Sequence, residues 1–344
     1  MRSKTEVTLL AILMLVGVGL STHQMATAKS KPSSLLPAHD VLVGAAASPA
    51  MGMGNGTLLV DHIGTGRLAK IKLAHGVNAF QVAIVGDTAY VPTLQGRTYI
   101  VNLQSNKVMS HFTTPVDARI ATTSADHHLL IIVGTKNVTA YALPSHQMIW
   151  QTGLGGNALA IVGNRAYLSG NTDSKTTILD VKSGKIITTL PIGNIEDSVY
   201  DAQTHSLWLA NWNNGDMTVL NTRDNHVVKV IRENEGGGFS MHSMMSSMGG
   251  FMQLAVAPTG KQVYASSFSG NIMVYNAAKV SFEKNIPIAI PMAKLSGIAI
   301  DPSGQYAYTT VESAKETVRV SLQTGKMTST YAGLESNRWN VIRG

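Results

Sequence analysis

Leu159–Asn194 reads LAIVGNRAYLSGNTDSKTTILDVKSGKIITTLPIGN, and Ile298–Gly333 reads IAIDPSGQYAYTTVESAKETVRVSLQTGKMTSTYAG. Both open on an apolar strand, turn at Gly, Asn or Asp, and continue in a strand that carries Tyr. A polar turn, a β-branched strand, a second turn and a closing strand complete each unit. Alternation of apolar and polar positions marks strands with one face buried. Recurrence at about 40 residues, in strands alone, marks a repeat architecture. Four short strands per unit predict the blade of a β-propeller.

The unit then serves as a ruler. Inner strands are expected at Gln81–Val85, Arg119–Thr123, Ala158–Val162, Asp197–Asp201, Gln253–Ala257 and Gly297–Asp301. Second strands follow with an aromatic at a recurring place, Tyr90, Tyr167, Trp208, Tyr264 and Tyr308. A seventh unit is divided between the chain ends. Asp40–Ala46, Thr57–Asp61 and Leu68–Leu73 match its second, third and fourth strands, and Asn337–Ile342 supplies the inner one. The expected fold is all-β, a seven-bladed β-propeller whose terminal blade is closed by N- and C-terminal strands. Such closure pairs edges that would otherwise be free.

The chain opens like an export signal. Arg2 and Lys4 precede the apolar run Val7–Leu20, and Ala26-Thr27-Ala28 offers small residues for cleavage. Fourteen apolar residues are short for a membrane span of about 20; an uncleaved anchor is the alternative. The expected organisation is a signal peptide over 1–28, a tail over 29–37 and one propeller over 38–344, with a Met/Gly/Ser-rich insertion at 233–252. Localisation is then exported, with the periplasm first and an extracellular or cell-envelope site beside it. No second long apolar run occurs, so no transmembrane segment is expected in the mature protein.

The chain has no cysteine, which excludes disulfides, thiolate metal sites and covalently attached c-type haem. Its formal charge of +7 is spread over a chain with only 14% charged residues. Without a concentrated basic stripe, nucleic acid is not an expected partner.

The turns Ser183-Gly184-Lys185, Thr324-Gly325-Lys326 and Asp301-Pro302-Ser303-Gly304 resemble those of YVTN-repeat (YncE-like) β-propellers, as do GKIITTLPIGN, GIAIDPSGQYAY and LAVAPTGKQVYAS. The resemblance covers nearly all of the chain after the leader, and it implies an exported propeller. Tyr167-Leu168-Ser169-Gly170 and Trp208-Leu209-Ala210-Asn211 replace the family's usual strand. The family is functionally mixed, so no ligand transfers with it.

Two constellations could carry function. In Met241–Met252 (MHSMMSSMGGFM) five methionines and one histidine fall within twelve residues, in the one inter-blade interval that runs long. Thioether sulfur suits Cu(I), and it carries no competing proton at low pH. Met241, His242, Met244, Met245 and Met248 are the candidate ligands, with Met51 and Met53 from a second short loop. Ag(I) suits the same thioethers; the cofactor is otherwise unknown, and copper is the one these residues suggest first. A flap or partner-binding surface is the plainer reading, since Met fills irregular apolar surface well.

The second constellation is the channel mouth, where outer-to-inner connections converge and Gln81, Arg119, Asp197, Gln253 and Arg338 are expected. Asn78, Asp117, Asn157, Glu196 and Lys294 lie beside them. They form either a ligand site or a solvated ring of internal ion pairs. Adjacent strand residues point to opposite faces, so Glu196 and Asp197 are not expected to cooperate. The histidines His62, His75, His111, His127, His128 and His205 show no ligand spacing.

Zinc-helix, nucleophile-turn and nucleotide-loop signatures are missing. The expected function is therefore a non-catalytic exported binding or scaffold protein, monomeric, with Cu(I) capture as its sharper form and a protein or small-molecule partner at the mouth. Two alternatives stay open: an enzyme or electron-transfer partner with a non-covalent cofactor at the mouth, and a structural cell-envelope protein.

Overall fold

The structure, a computed structural model, describes residues 40–47, 54–170, 172–232 and 250–343. They form seven four-stranded antiparallel sheets, the blades of a β-propeller. Among the described residues no helix is long and apolar enough to cross a membrane. We number blades 1 to 6 by their inner strands: Ala83–Val85, Ala118–Thr123, Ala158–Val162, Ile195–Asp201, Phe251–Val256 and Leu295–Ile300. Each lies within about two residues of its expected start. Phe251 and Met252 belong to the inner strand of blade 5, so the insertion is shorter at its end than 233–252.

Blade 7 closes the ring as expected. Its inner strand, Asn340–Arg343, pairs with Asp40–Ala47, followed outward by Gly54–His62 and Arg67–Lys72. Asp40 faces Arg343, Val41 faces Ile342, Leu42 faces Val341 and Val43 faces Asn340. The closing strand starts later than the expected Asn337, because residues 336–339 turn aside into the channel contacts described below.

The core follows from the repeat. Seven hydrophobic clusters occur among the described residues, and each joins two adjacent blades. The recurring second-strand aromatics Tyr90, Tyr167, Trp208, Tyr264 and Tyr308 are all buried there. Large aromatic side chains fill the wedge that opens between twisted sheets. The repeated Gly-Lys turn has a backbone cause. Gly66, Asn106, His146, Gly184, Asn225, Val280 and Gly325, one before the outer strand of each blade, all take a positive φ of 48° to 69°. Glycine and asparagine adopt that conformation most readily.

Register irregularities matter more for the site. The inner strand is bulged between Ala118 and Ile120, Ile195 and Asp197, Phe251 and Gln253, and Leu295 and Ile298. Each bulge inserts a residue where the strand enters from the mouth, and re-aims the side chains there.

One buried charge stands apart from the site. Asp61, in the third strand of blade 7, is 6% exposed, and burial pushes its carboxyl up to about 6. Its folded value lies above the unfolded one of 3.8, so the folded state holds the proton more tightly and stability falls as pH rises through 4 to 6. Asp61→Asn is therefore expected to stabilise the protein at pH 7 by on the order of 1–2 kcal/mol, after allowance for residual solvation. Urea unfolding at pH 7 and pH 4 checks this. The gain has to vanish at the lower pH, and a gain equal at both would point away from Asp61 ionisation.

Candidate functional site at the channel mouth

Connections from outer to inner strands, and turns between second and third strands, open on one face of the ring. On that face the structure brings Asp197, Gln253 and Arg338 together, and it adds Glu196. Arg338 Nη2 donates to Glu196 Oε1 at 3.3 Å and to the Glu196 carbonyl at 3.2 Å. Its Nη1 lies 3.5 Å from Asp197 Oδ2, which also accepts from the Leu254 amide at 2.7 Å. Burial raises the Asp197 carboxyl above its ordinary range, and Arg338 and the Leu254 amide offset part of that rise. Side-chain exposures of 10%, 11% and 15% for Arg338, Glu196 and Asp197 make this a buried triad, not a solvated ring. The bulge between Ile195 and Asp197 explains why the two carboxylates cooperate after all. The extra residue lets both reach one guanidinium, which simple strand alternation forbids.

Gln253 completes a strut across three blades. Its Oε1 accepts from the Ile298 amide at 2.8 Å and the Trp339 amide at 2.9 Å, and its Nε2 donates to the Trp339 carbonyl at 3.0 Å. Trp339 is 2% exposed and donates from Nε1 to Thr310 Oγ1 at 2.8 Å. Two glycines make room for this segment. A Cβ on Gly44 would lie 2.5 Å from Ser336 Oγ, and one on Gly297 would lie 2.4 Å from the Ser336 carbonyl oxygen. Every polar atom of the Gln253 side chain is thus engaged with the closing segment or blade 6. These residues hold the ring shut.

Arg119 is arranged differently. It is the extra residue of the blade 2 bulge, and its guanidinium lies 5.6 Å over the Phe80 ring. Asp117 Oδ1 accepts from Arg119 Nε at 3.2 Å, and Asp117 Oδ2 accepts from the Thr135 hydroxyl. Arg119 and Asp117 are 37% and 34% exposed. Among the described residues, no hydrogen bond reaches the terminal Nη atoms of Arg119. Arg119 lines a groove of about 370 Å³ between blades 2 and 3, together with Gly153–Asn157, Asp173 and Lys175. Gln81 is elsewhere. It donates its amide to the Arg119 carbonyl at 3.2 Å, while Gln81 itself lines a separate cavity of about 320 Å³ with Thr122, Asn340 and Ile342 on the channel wall.

Sequence reading passed over four side chains on this face. Glu312, beside Lys294, and Glu335, beside Lys315, have carboxyls raised chiefly by burial. Asp173 and Lys175 sit on the blade 3 turn. No motif marks any of them.

Met241, His242, Met244, Met245, Met248, Met51 and Met53 lie outside the described residues. The strands that bracket them are described: Val227–Ile231 leads to Phe251–Val256, and Asp40–Ala47 leads to Gly54–His62. Both connections therefore start and finish on the mouth face. Among the described residues no group of three His, Asp or Glu side chains could hold a metal ion. His127 and His205 occupy turns with positive φ, as expected of tight hairpins, while His62 is buried and His111 packs 5.5 Å from Tyr99.

No family model and no curated protein matches the chain. Among solved structures, 1755 chains match, so the architecture is widely shared. A chain of Kuenenia stuttgartiensis hydrazine synthase is similar over 77% of this chain and 95% of its own length, with a TM-score of 0.64 and 13% identity. Likeness at that identity is a statement about fold alone. The chain is a seven-bladed β-propeller.

Proposed function

We propose that this is a non-catalytic, exported binding protein of the YVTN-repeat type, which takes its ligands on the mouth face and captures Cu(I) there through Met241, His242, Met244, Met245 and Met248, assisted by Met51 and Met53. The observation that carries the reading is the division of labour among mouth residues. The buried carboxylates Glu196 and Asp197 are committed to Arg338 and to ring closure. Neither is left to act as a general acid or base, which needs a group able to reach a substrate proton. Both methionine-bearing connections nonetheless join strands at this same face. Export is supported by the leader-like residues 1–28.

Soft thioethers with one imidazole form a donor set for Cu(I) that is retained in mild acid. The test is a Cu(I) titration of the purified protein against a competing chelator. A variant with Met241, Met244, Met245 and Met248 changed to Ser is expected to bind at least about a hundredfold more weakly. Equal affinity in the two proteins would remove copper from the proposal.

A further inference from the structure

Arg338 and Arg119 both lie on the mouth face, and their partners separate them. Arg338 lies between two carboxylates and is buried. Arg119 has a single carboxylate, Asp117, which holds it through Nε; among the described residues no hydrogen bond takes up its two terminal nitrogens, and the side chain lines the groove between blades 2 and 3. Asp117 is itself fixed by the Thr135 hydroxyl, and Phe80 supports the guanidinium from below. This is a preorganised fork: the side-chain entropy is already lost before anything binds.

The groove is built, not incidental. A Cβ on Gly155 would lie 2.1 Å from the Thr135 carbonyl oxygen, and one on Gly156 would lie 2.3 Å from the Ser169 carbonyl oxygen. A Cβ on Gly193 would lie 2.1 Å from the Asp173 carbonyl oxygen. Loops from blades 2, 3 and 4 therefore interlock by direct backbone packing around the cavity. Its volume of about 370 Å³ falls in the range that holds small ligands, roughly 300–1,000 Å³.

We infer that this groove binds a small hydroxylated carboxylate, of the sugar-acid class. Arg119 and Lys175 supply two cations, and Asp117 and Asp173 supply two anions, so the site is close to neutral overall. That balance disfavours a doubly charged phosphate and suits a monoanion. The Arg119 fork takes the carboxylate in a bidentate manner. Asp173 and Asn157 carry no hydrogen bond from their side chains among the described residues, and they accept from and bridge the ligand hydroxyls. The inference rests on the reading that the mouth face is the ligand-binding face, and it names a ligand class and a place distinct from the methionine segment.

The test uses D-glucuronate as the probe, followed by amide chemical shifts of the purified protein. Saturable shifts at Thr135, Gly153, Gly155 and Asp173, with a dissociation constant on the order of 1 mM, are expected. Arg119→Gln should weaken binding about tenfold, and Lys175→Gln, a change at an exposed side chain that leaves the fold intact, about threefold. Glucose, which lacks the carboxylate, should give no saturable shifts. Absence of saturable glucuronate shifts, equal affinity in wild type and both variants, or equal binding of glucose would each overturn the inference. Cu(I) affinity is read separately, so a failure here leaves the wider binding reading standing or falling on its own titration.

Discussion

Deleting residues 340–344 is expected to destroy cooperative folding of the monomer. The four paired residues of the closing strand satisfy the backbone edge of Asp40–Val43, and its Ile342 and Val341 pack against the clusters that bury Val41, Val43 and Leu42, each 0% exposed. Exposing three aliphatic side chains costs roughly 5 kcal/mol, at about 1.5–3 kcal/mol each. Total stabilities are about 5–15 kcal/mol, so the loss is comparable to the whole. The bared edge is also a template for pairing with another chain. Thermal melting with light scattering after size exclusion gives the readout: a broad, low transition and oligomers. A monomer melting at the wild-type temperature would show that closure is dispensable.

Arg338→Met should be nearly as damaging, for an electrostatic reason. Removing one member of a buried ion pair leaves its partners uncompensated and costs about 3–5 kcal/mol. Here Glu196 and Asp197 would both lose their guanidinium. The sign of the pH dependence follows from Asp197, whose carboxyl is already raised by burial. Without Arg338 it rises further, the folded state takes up a proton, and stability increases as pH falls. The deficit is therefore greatest at neutral pH and shrinks in acid. Adding Glu196→Gln and Asp197→Asn should recover much of it, since the uncompensated charges are gone. Denaturant unfolding of the single and triple variants at pH 7 and pH 5 decides the matter. A deficit independent of pH and untouched by the amide changes would mean that Arg338 acts by packing alone.

The blades were readable in the sequence because their signals are local. A Gly-Lys turn, an aromatic in the second strand and β-branched alternation all lie within a few residues of one another, and the split seventh unit could be found by its missing strand. The triad was not readable for the opposite reason. Glu196 and Arg338 are 142 residues apart, and their meeting depends on a one-residue bulge that no local pattern announces. Strand alternation pointed the wrong way at Glu196 and Asp197. Expectation placed five residues together at the channel mouth; the structure separates them into a structural strut (Asp197, Gln253, Arg338), a groove residue (Arg119) and a channel-wall residue (Gln81). Neighbouring Asp117 was visible as a charged residue, but its role in fixing Arg119 depends on Thr135 from another turn.

The pairing of Asp40 with Arg343 also sets an orientation. The closing strand runs away from the mouth, and its partner starts where it stops, so both ends of the described chain leave together on the side opposite the mouth. The mouth face is thereby left clear of both described chain ends, Asp40 and Arg343.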